Sequence, residues 1–237
     1  MSFKTLPFER VQEKYRLKRL IELLPSNLNN SSCVLEVGPG ISPVFSHINS
    51  NVTIDVIEPL QEFYRENLDL SQGARNVRVW NQTIEQFINN NAKKKFDLAI
   101  LSSVLHELED PRNVLLQLYN LLKADGQLVV IVPNNQSIHR LISKIKNSKH
   151  NLNELTKTEI RMQQTISFSP DSLTQLLTEV GFNTVSTITS FIKPLPHQDM
   201  ENAVNSGIIR IEHLDLLFDI SQLLDGYGSE IFGVAKK

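Results

Sequence analysis

Between Cys33 and about residue 134, short β-branched runs alternate with helical segments, and this alternation constrains the fold more than any other feature of the chain. CVLEVG, VTIDVIEP, VRVWNQ, FDLAILSSVL and QLVVIVPN are nearly continuous in apolar character, as strands buried on both faces must be. LQEFYRENL, IEQFINN and the stretch from Asp110-Pro111 to Leu122 lie between them and carry helix signals, with the proline of Asp110-Pro111 placed in a first turn. Strands and helices in this order build a parallel sheet with right-handed crossovers. The expected class is α/β, a doubly wound sheet.

The flanks are read by the same rules. Val11, Tyr15, Leu17, Leu20, Ile21 and Leu24 have helical spacing, ended by Pro25 and the run SNLNNSS. Residues 1–30 are expected to form a helical cover. PGISPVFSHI, after the first strand, reads as a tight turn entering a helix. Residues 135–170 are polar and basic with weak periodicity, an insertion capping the sheet. Ser169-Pro170-Asp171 caps the helix SLTQLLTEVGF, which ends at Gly181. TVSTITSFI alternates like a strand, a helical stretch runs from about Met200 to Leu224, and EIFGVAKK closes the chain as the last strand. No internal repeat breaks the pattern, so residues 1–237 read as a single domain.

Composition limits the functional classes. A formal net charge of -2 gives no long-range attraction to a phosphate backbone, so no nucleic-acid partner is expected. The one basic run, Lys93-Lys94-Lys95, reads as a solvated loop. A single cysteine, Cys33, cannot make an intrachain disulfide. The start MSFKTLPFERVQEKY lacks the apolar centre of a signal peptide, and no apolar run approaches the roughly 20 residues that span a bilayer. The expectation is a cytoplasmic protein without membrane insertion.

Chemistry concentrates at the carboxyl ends of the first two strands. Gly38 and Gly40 let the backbone approach a ligand without a Cβ in the way, and ligands of such sheets bind beyond the carboxyl ends of the strands. Glu58 ends the second strand, where a carboxylate can accept hydrogen bonds from both hydroxyls of a ribose. An adenosine site is the reading. A dinucleotide cradle wants a third glycine and a helix start under pyrophosphate; Pro43 stands at that glycine position, and Glu36 would oppose a pyrophosphate. Glu36 suits a cationic ligand instead, such as an amine and a sulfonium.

With these residues in view, the chain resembles the class I S-adenosylmethionine-dependent methyltransferases. Glu36-Val37-Gly38-Pro39-Gly40 resembles their E/D-x-G-x-G motif, whose acidic residue helps hold the methionine end of the cofactor. Glu58, followed by Pro59 and Leu60, resembles the acidic ribose motif. Thr83-Ile84-Glu85 falls where the family places an adenine contact, with Thr83 replacing the usual aspartate. Phe96 to Ser103, with Ser102 and Ser103 at its end, resembles the fourth motif, and Val104-Leu105-His106-Glu107-Leu108 resembles V-L-H-H-L. Leu122 to Leu128 resembles L-K-P-G-G-x-L, with Ala124 and Asp125 departing from it. The likeness covers roughly residues 30–185 and the last strand. It implies a Rossmann-like, seven-stranded sheet, mostly parallel, with the last strand antiparallel and inserted beside strand six.

A finer likeness, through Val132-Pro133-Asn134-Asn135, Ile138-His139-Arg140, Phe168 to Leu173 and Phe191 to Leu195, is to a bacterial subgroup that accompanies synthesis of surface sugars or secondary metabolites. A Gly-His pair common there is replaced by Gln163-Gln164.

The resemblance implies S-adenosyl-L-methionine as cofactor and methyl transfer to a small-molecule acceptor, by analogy a hydroxyl of a sugar or secondary metabolite. His106 is the first candidate base, since histidine titrates near neutral pH; packing or shaping the pocket is its other reading. His139 is the second candidate, with a surface histidine as the alternative, and His197 is a candidate lid residue or plain loop. Tyr15 is a candidate cofactor cover or core packing. No cluster has metal-ligand spacing, and a homodimer stays open. Two rival functions remain: a non-catalytic binding or partner subunit with the same fold, and a nicotinamide-dinucleotide oxidoreductase.

Overall fold

A computed structural model describes residues 8–48, 51–74, 76–146, 154–155, 160 and 164–237. The strands are β1 Cys33–Val37, β2 Thr53–Ile57, β3 Val77–Trp80, β4 Phe96–Ser102, β5 Leu122–Pro133, β6 Thr184–Ser190 and β7 Glu230–Lys236. They form one seven-stranded sheet in the order β3-β2-β1-β4-β5-β7-β6. β1 pairs in parallel with β2 and β4, β2 with β3, and β4 with β5. β7 is antiparallel to both β5 and β6. This is the expected Rossmann-like arrangement. The order reverses between β1 and β4, and it is there that ligands of open α/β sheets bind.

The described helices are α1 Glu9–Leu23, α2 Gln61–Leu70, α3 Ile84–Asn90, α4 Pro111–Leu121, α5 Ile138–Lys146, α6 Pro170–Val180, α7 His197–Asn205 and α8 Ile211–Asp219. Their starts follow from local chemistry. Asp110 accepts the Asn113 N–H at 3.0 Å ahead of Pro111, and Ser169 accepts the Ser172 N–H at 3.2 Å. Each cap satisfies a donor that the helix itself leaves open. α6 stops at Gly181, whose φ of +115° suits glycine. The stretch expected from Met200 to Leu224 is two helices and a short 3₁₀ turn, Ile220–Gln222.

Two expectations are corrected. The turn after β1 does not enter a helix: it reaches only a 3₁₀ turn, Val44–His47. Pro43, at φ -68° and ψ 140°, is extended, and a proline also disfavours helical geometry in the residue before it. β5 starts at Leu122 rather than beyond the Asp125-Gly126 turn, because Asp125 takes a φ of +64° inside the strand and shifts its register against β4. Part of the expected cap at 135–170, including Gln163, lies outside the described residues; α5 is the part that is described.

Alternation along the strands gives the sheet two packed faces. Leu35, Val37, Ile57, Leu101 and Val130 pack with α3, α4 and α6. Val34, Val56, Ile100, Val129 and Ile131 pack on the other side with Leu20, Val44 and Phe45. Glu36 belongs to this second face and is fully buried. A third cluster, Phe8, Tyr15, Phe191, Met200, Leu214 and Phe218, fastens α1 to α7 and α8. Each such side chain fully buried contributes about 1.5–3 kcal/mol, so α1 is held by Tyr15 in this cluster and by Leu20 against the sheet.

Candidate active site

The site is built on the glycine turn leaving β1. Gly38 and Gly40 have φ of +66° and +62°, the left-handed region that glycine occupies without a steric penalty. Gly38 donates to the Ile57 carbonyl at 2.9 Å. A Cβ at Gly38 would lie 2.1 Å from Val104 Cγ2, so the residue type is fixed by space as well as by φ. Asn67 of α2 donates to the Gly40 carbonyl at 2.7 Å and to that of Phe63 at 2.8 Å, pinning the turn to the helix.

Two buried carboxyls flank this turn. Glu36 accepts the Val44 N–H at 2.8 and 3.1 Å; burial pushes its pKa up to about 8, against the pull of that hydrogen bond. Glu58 accepts the Leu60 N–H at 3.0 Å and a backbone hydrogen bond from Gly40. Burial raises it to about 7, opposed by those two donors. The Gly40 N–H therefore joins the glycine turn to the ribose candidate. Two carboxyls left without a buried cation of their own, around a turn where a Cβ would clash, are chemically suited to a cationic adenosyl ligand.

The other sequence candidates divide. Ser102 is buried at the end of β4, and Ser103, at φ +60°, donates to the Ile131 carbonyl at 3.0 Å; both lie beside the turn's side of the sheet. Pro59 and Leu60 are exposed next to Glu58. Thr83 caps α3, accepting the Gln86 N–H at 3.4 Å, and Ile84 behind it is core. Tyr15 is packed in the core: its ring stacks on Phe191 at 4.9 Å and its hydroxyl donates to Asp215 at 2.8 Å. These contacts fit the packing alternative for Tyr15. Among the described residues, no group of three His, Cys, Asp or Glu could hold a metal, and no helix is long and apolar enough to cross a membrane.

His106 lies in a 3₁₀ turn after β4, 4% exposed, with its Nδ1 lacking a hydrogen-bond partner. Burial and then the Arg16 charge push its pKa down to about 3. His139, on α5, shares Nδ1 with the Ser137 hydroxyl at 3.1 Å. Burial, followed by the Lys193 charge, takes it down to about 2. Both rings are neutral at physiological pH.

Several charged residues here escaped sequence reading. Arg16 donates from Nε to Glu230 at 2.7 Å and also pairs with Glu9 at 3.1 Å. Glu13 Oε1 lies 3.2 Å from where a Gly40 Cβ would be, and burial raises its pKa to about 7. Glu107 is raised to about 7 by burial and then by the charge of Glu58. α1 closes over the turn: the space between Glu13, Arg16, Leu20, Pro39, Ser42 and Ser102 is a cavity of about 10 Å³. That volume suits a water, not a nucleoside, so a larger group between these residues needs the Glu13 and Arg16 side chains to move. The covering atoms are not part of the sheet or of the turn.

A seven-stranded sheet of this order, with a glycine turn and an acidic strand end at its switch point, defines the class I methyltransferase fold. The solved structures of similar fold include an S-adenosylmethionine-dependent methyltransferase from Thermotoga maritima, 20% identical, covering 96% of this chain and 90% of that one at a TM-score of 0.60. Another is the plantazolicin methyltransferase BamL, in complex with a triazolic desmethylPZN analogue and S-adenosylhomocysteine. It is 16% identical and covers 97% of this chain and 87% of its own, at a TM-score of 0.62. A curated relative, polyketide synthase 7 of Dictyostelium discoideum, is 37% identical over 90 residues; that stretch is 38% of this chain and only 4% of the relative's length. The family model described as a methyltransferase domain matches residues 8–187, and the chain belongs to that family. It carries a methyltransferase domain, on a fold it shares with S-adenosylmethionine-dependent methyltransferases.

Proposed function

We propose that this protein transfers the methyl group of S-adenosylmethionine to a small-molecule acceptor, a hydroxyl of a sugar or secondary metabolite being the acceptor of choice. One observation carries the reading: Glu58, at the end of β2, is held by the Leu60 and Gly40 N–H groups beside a glycine turn that tolerates no side chain at Gly38. The complex of the plantazolicin enzyme with S-adenosylhomocysteine and a substrate analogue supports the same assignment by likeness of fold.

In this reading Gly38, Pro39 and Gly40 cradle the ligand, Glu58 accepts from the ribose hydroxyls, and Pro59 and Leu60 border it. Glu36 offers negative charge to the methionine end. Thr83 and Ile84 sit at the adenine end, Ser102 and Ser103 at the floor, and Arg16, beside Pro39 and Ser102, supplies a cation for the methionine carboxylate. When bound, the cofactor supplies an already activated methyl group, so the protein contributes alignment and exclusion of water, which can amount to several kcal/mol. Residues of the turn and of the β4 end would hold the donor in line with the acceptor hydroxyl, whose proton would pass to solvent.

His106 is a poor sink for that proton, because its imidazolium is opposed by burial and by Arg16. Its unpartnered Nδ1 instead fits a hydrogen bond that orients the acceptor. His139 has the same restriction.

Calorimetry with S-adenosylhomocysteine tests the cofactor site. Micromolar binding that weakens in Glu58→Ala is expected. The closed position of α1 favours a second reading, a partner subunit that no longer turns over. Absence of binding at high micromolar concentration would select it.

A further inference from the structure

Lys193 follows β6 and is 2% exposed. A buried ammonium is costly unless its three donors are met, yet its hydrogen bond is a long one, 3.4 Å to the Gln12 side chain. The nearby carboxylates relieve it only in part. Glu9 and Glu230 favour its charge, but both already accept from Arg16, at 3.1 and 2.7 Å. Desolvation dominates and takes Lys193 down to about 8. Around it stand Glu9, Gln12 and Arg16 from α1, His139 from α5 and Glu230 from β7, with His197 of α7 acting on Glu9 and His139. Neither ring can offer a negative oxygen.

This group lies away from the ribose end of the site. Glu230 faces Pro133, at the carboxyl end of β5, and Ser190, at the end of β6. His106, with its open Nδ1, feels the same Arg16 and Glu9 charges. A cation short of acceptors therefore stands past the strands that follow the cofactor half, where the methyl acceptor must lie.

We infer that Lys193 anchors a carboxylate of the methyl acceptor, so that the substrate class is a hydroxy acid or acidic sugar rather than a neutral alcohol. The inference rests on the methyl-transfer reading. Lys193 fixes one end of the substrate, and the hydroxyl is presented toward His106 and the glycine turn.

The test uses the 237-residue chain saturated with S-adenosylhomocysteine, its binding verified first by calorimetry. Failure at that stage defeats the cofactor reading, and only a saturated protein goes on to the second stage. Two matched pairs of probes are then titrated, glycolate against glycolamide and glucuronate against glucose. The acid of each pair is expected to bind roughly tenfold or more tightly than its neutral mate, as a charge-assisted hydrogen bond implies. Lys193→Met should abolish that preference while S-adenosylhomocysteine affinity stays put, and Lys193→Arg should restore part of it. In wild-type protein the ¹⁵N resonance of the Lys193 ammonium should move with glycolate and not with glycolamide, which serves if Lys193→Met fails to fold. Equal binding of acid and neutral mate, no binding of either acid, a silent Lys193 resonance, or a preference that survives in Lys193→Met each overturns the proposal.

Discussion

Arg16 of the first helix and Glu230 of the last strand share a hydrogen bond of 2.7 Å, across almost the whole length of the chain. Glu230 is 2% exposed, and the ion pair ties the cover over the glycine turn to the strand inserted between β5 and β6. Removing Arg16 strands Glu230 in a buried setting, which costs about 3–5 kcal/mol, whereas removing Glu230 leaves Arg16 its bond to Glu9 and sets that figure as an upper bound. Arg16→Met should lower the urea-unfolding free energy by about that much and Glu230→Gln by no more, and the double variant should lose clearly less than the sum. Additive losses would show that the pair is not coupled.

Glu58→Ala should weaken S-adenosylhomocysteine binding by roughly 1.5–3 kcal/mol, the usual worth of hydrogen bonds to a charged group. Isothermal calorimetry at fixed salt measures it. Unchanged affinity would remove the ribose assignment.

The raised carboxyls make stability and binding respond to pH in opposite directions. In the ligand-free protein Glu36 titrates near 8 and Glu58, Glu13 and Glu107 near 7, all above the ordinary 4.5. Between those limits the folded chain holds protons that the unfolded chain has released, so these groups stabilise less as pH rises. His106 and His139 have lowered values, and their contribution is complete above about pH 6.5 and fades below it. From about pH 6.5 to about pH 8 only the carboxyl effect remains, and the urea midpoint should fall. Binding needs ionised carboxylates, so affinity for S-adenosylhomocysteine should rise over the same interval with release of protons. Calorimetry in two buffers of different ionisation enthalpy would register that release, and identical heats would contradict it.

Gly38→Ala should cost about 1–3 kcal/mol of stability from backbone strain and overlap with Val104. Val104→Ala in the same chain should recover only the overlap, because the φ of +66° remains. Thermal unfolding of the three variants distinguishes the contributions. Full recovery would mean that φ carries none of the cost.

The sheet was legible because each strand writes its burial into adjacent residues: CVLEV and QLVVIVP can be little else. Glu36, Gly38, Gly40 and Glu58 were legible because a turn and a strand end are local. Arg16, Glu13 and Lys193 were not. On α1 a charged residue reads as a solvated face, and Lys193 before Pro194 reads as loop; their burial depends on β7 and α7, far along the chain. Tyr15 was ambiguous for the same reason, as Asp215 and Phe191 settle its direction only after folding. The missing helix after Gly40 could have been anticipated from Ser42-Pro43, since a residue before proline avoids the helical region.

Without a full helix behind it, that turn has no aligned column of peptide dipoles to lend it positive potential. Under the proposed assignment its two acids, once ionised, work against a diphosphate, and Arg16 beside Pro39 is the countercharge that a single carboxylate can use. Selection among nucleotides by charge would then come before selection by shape.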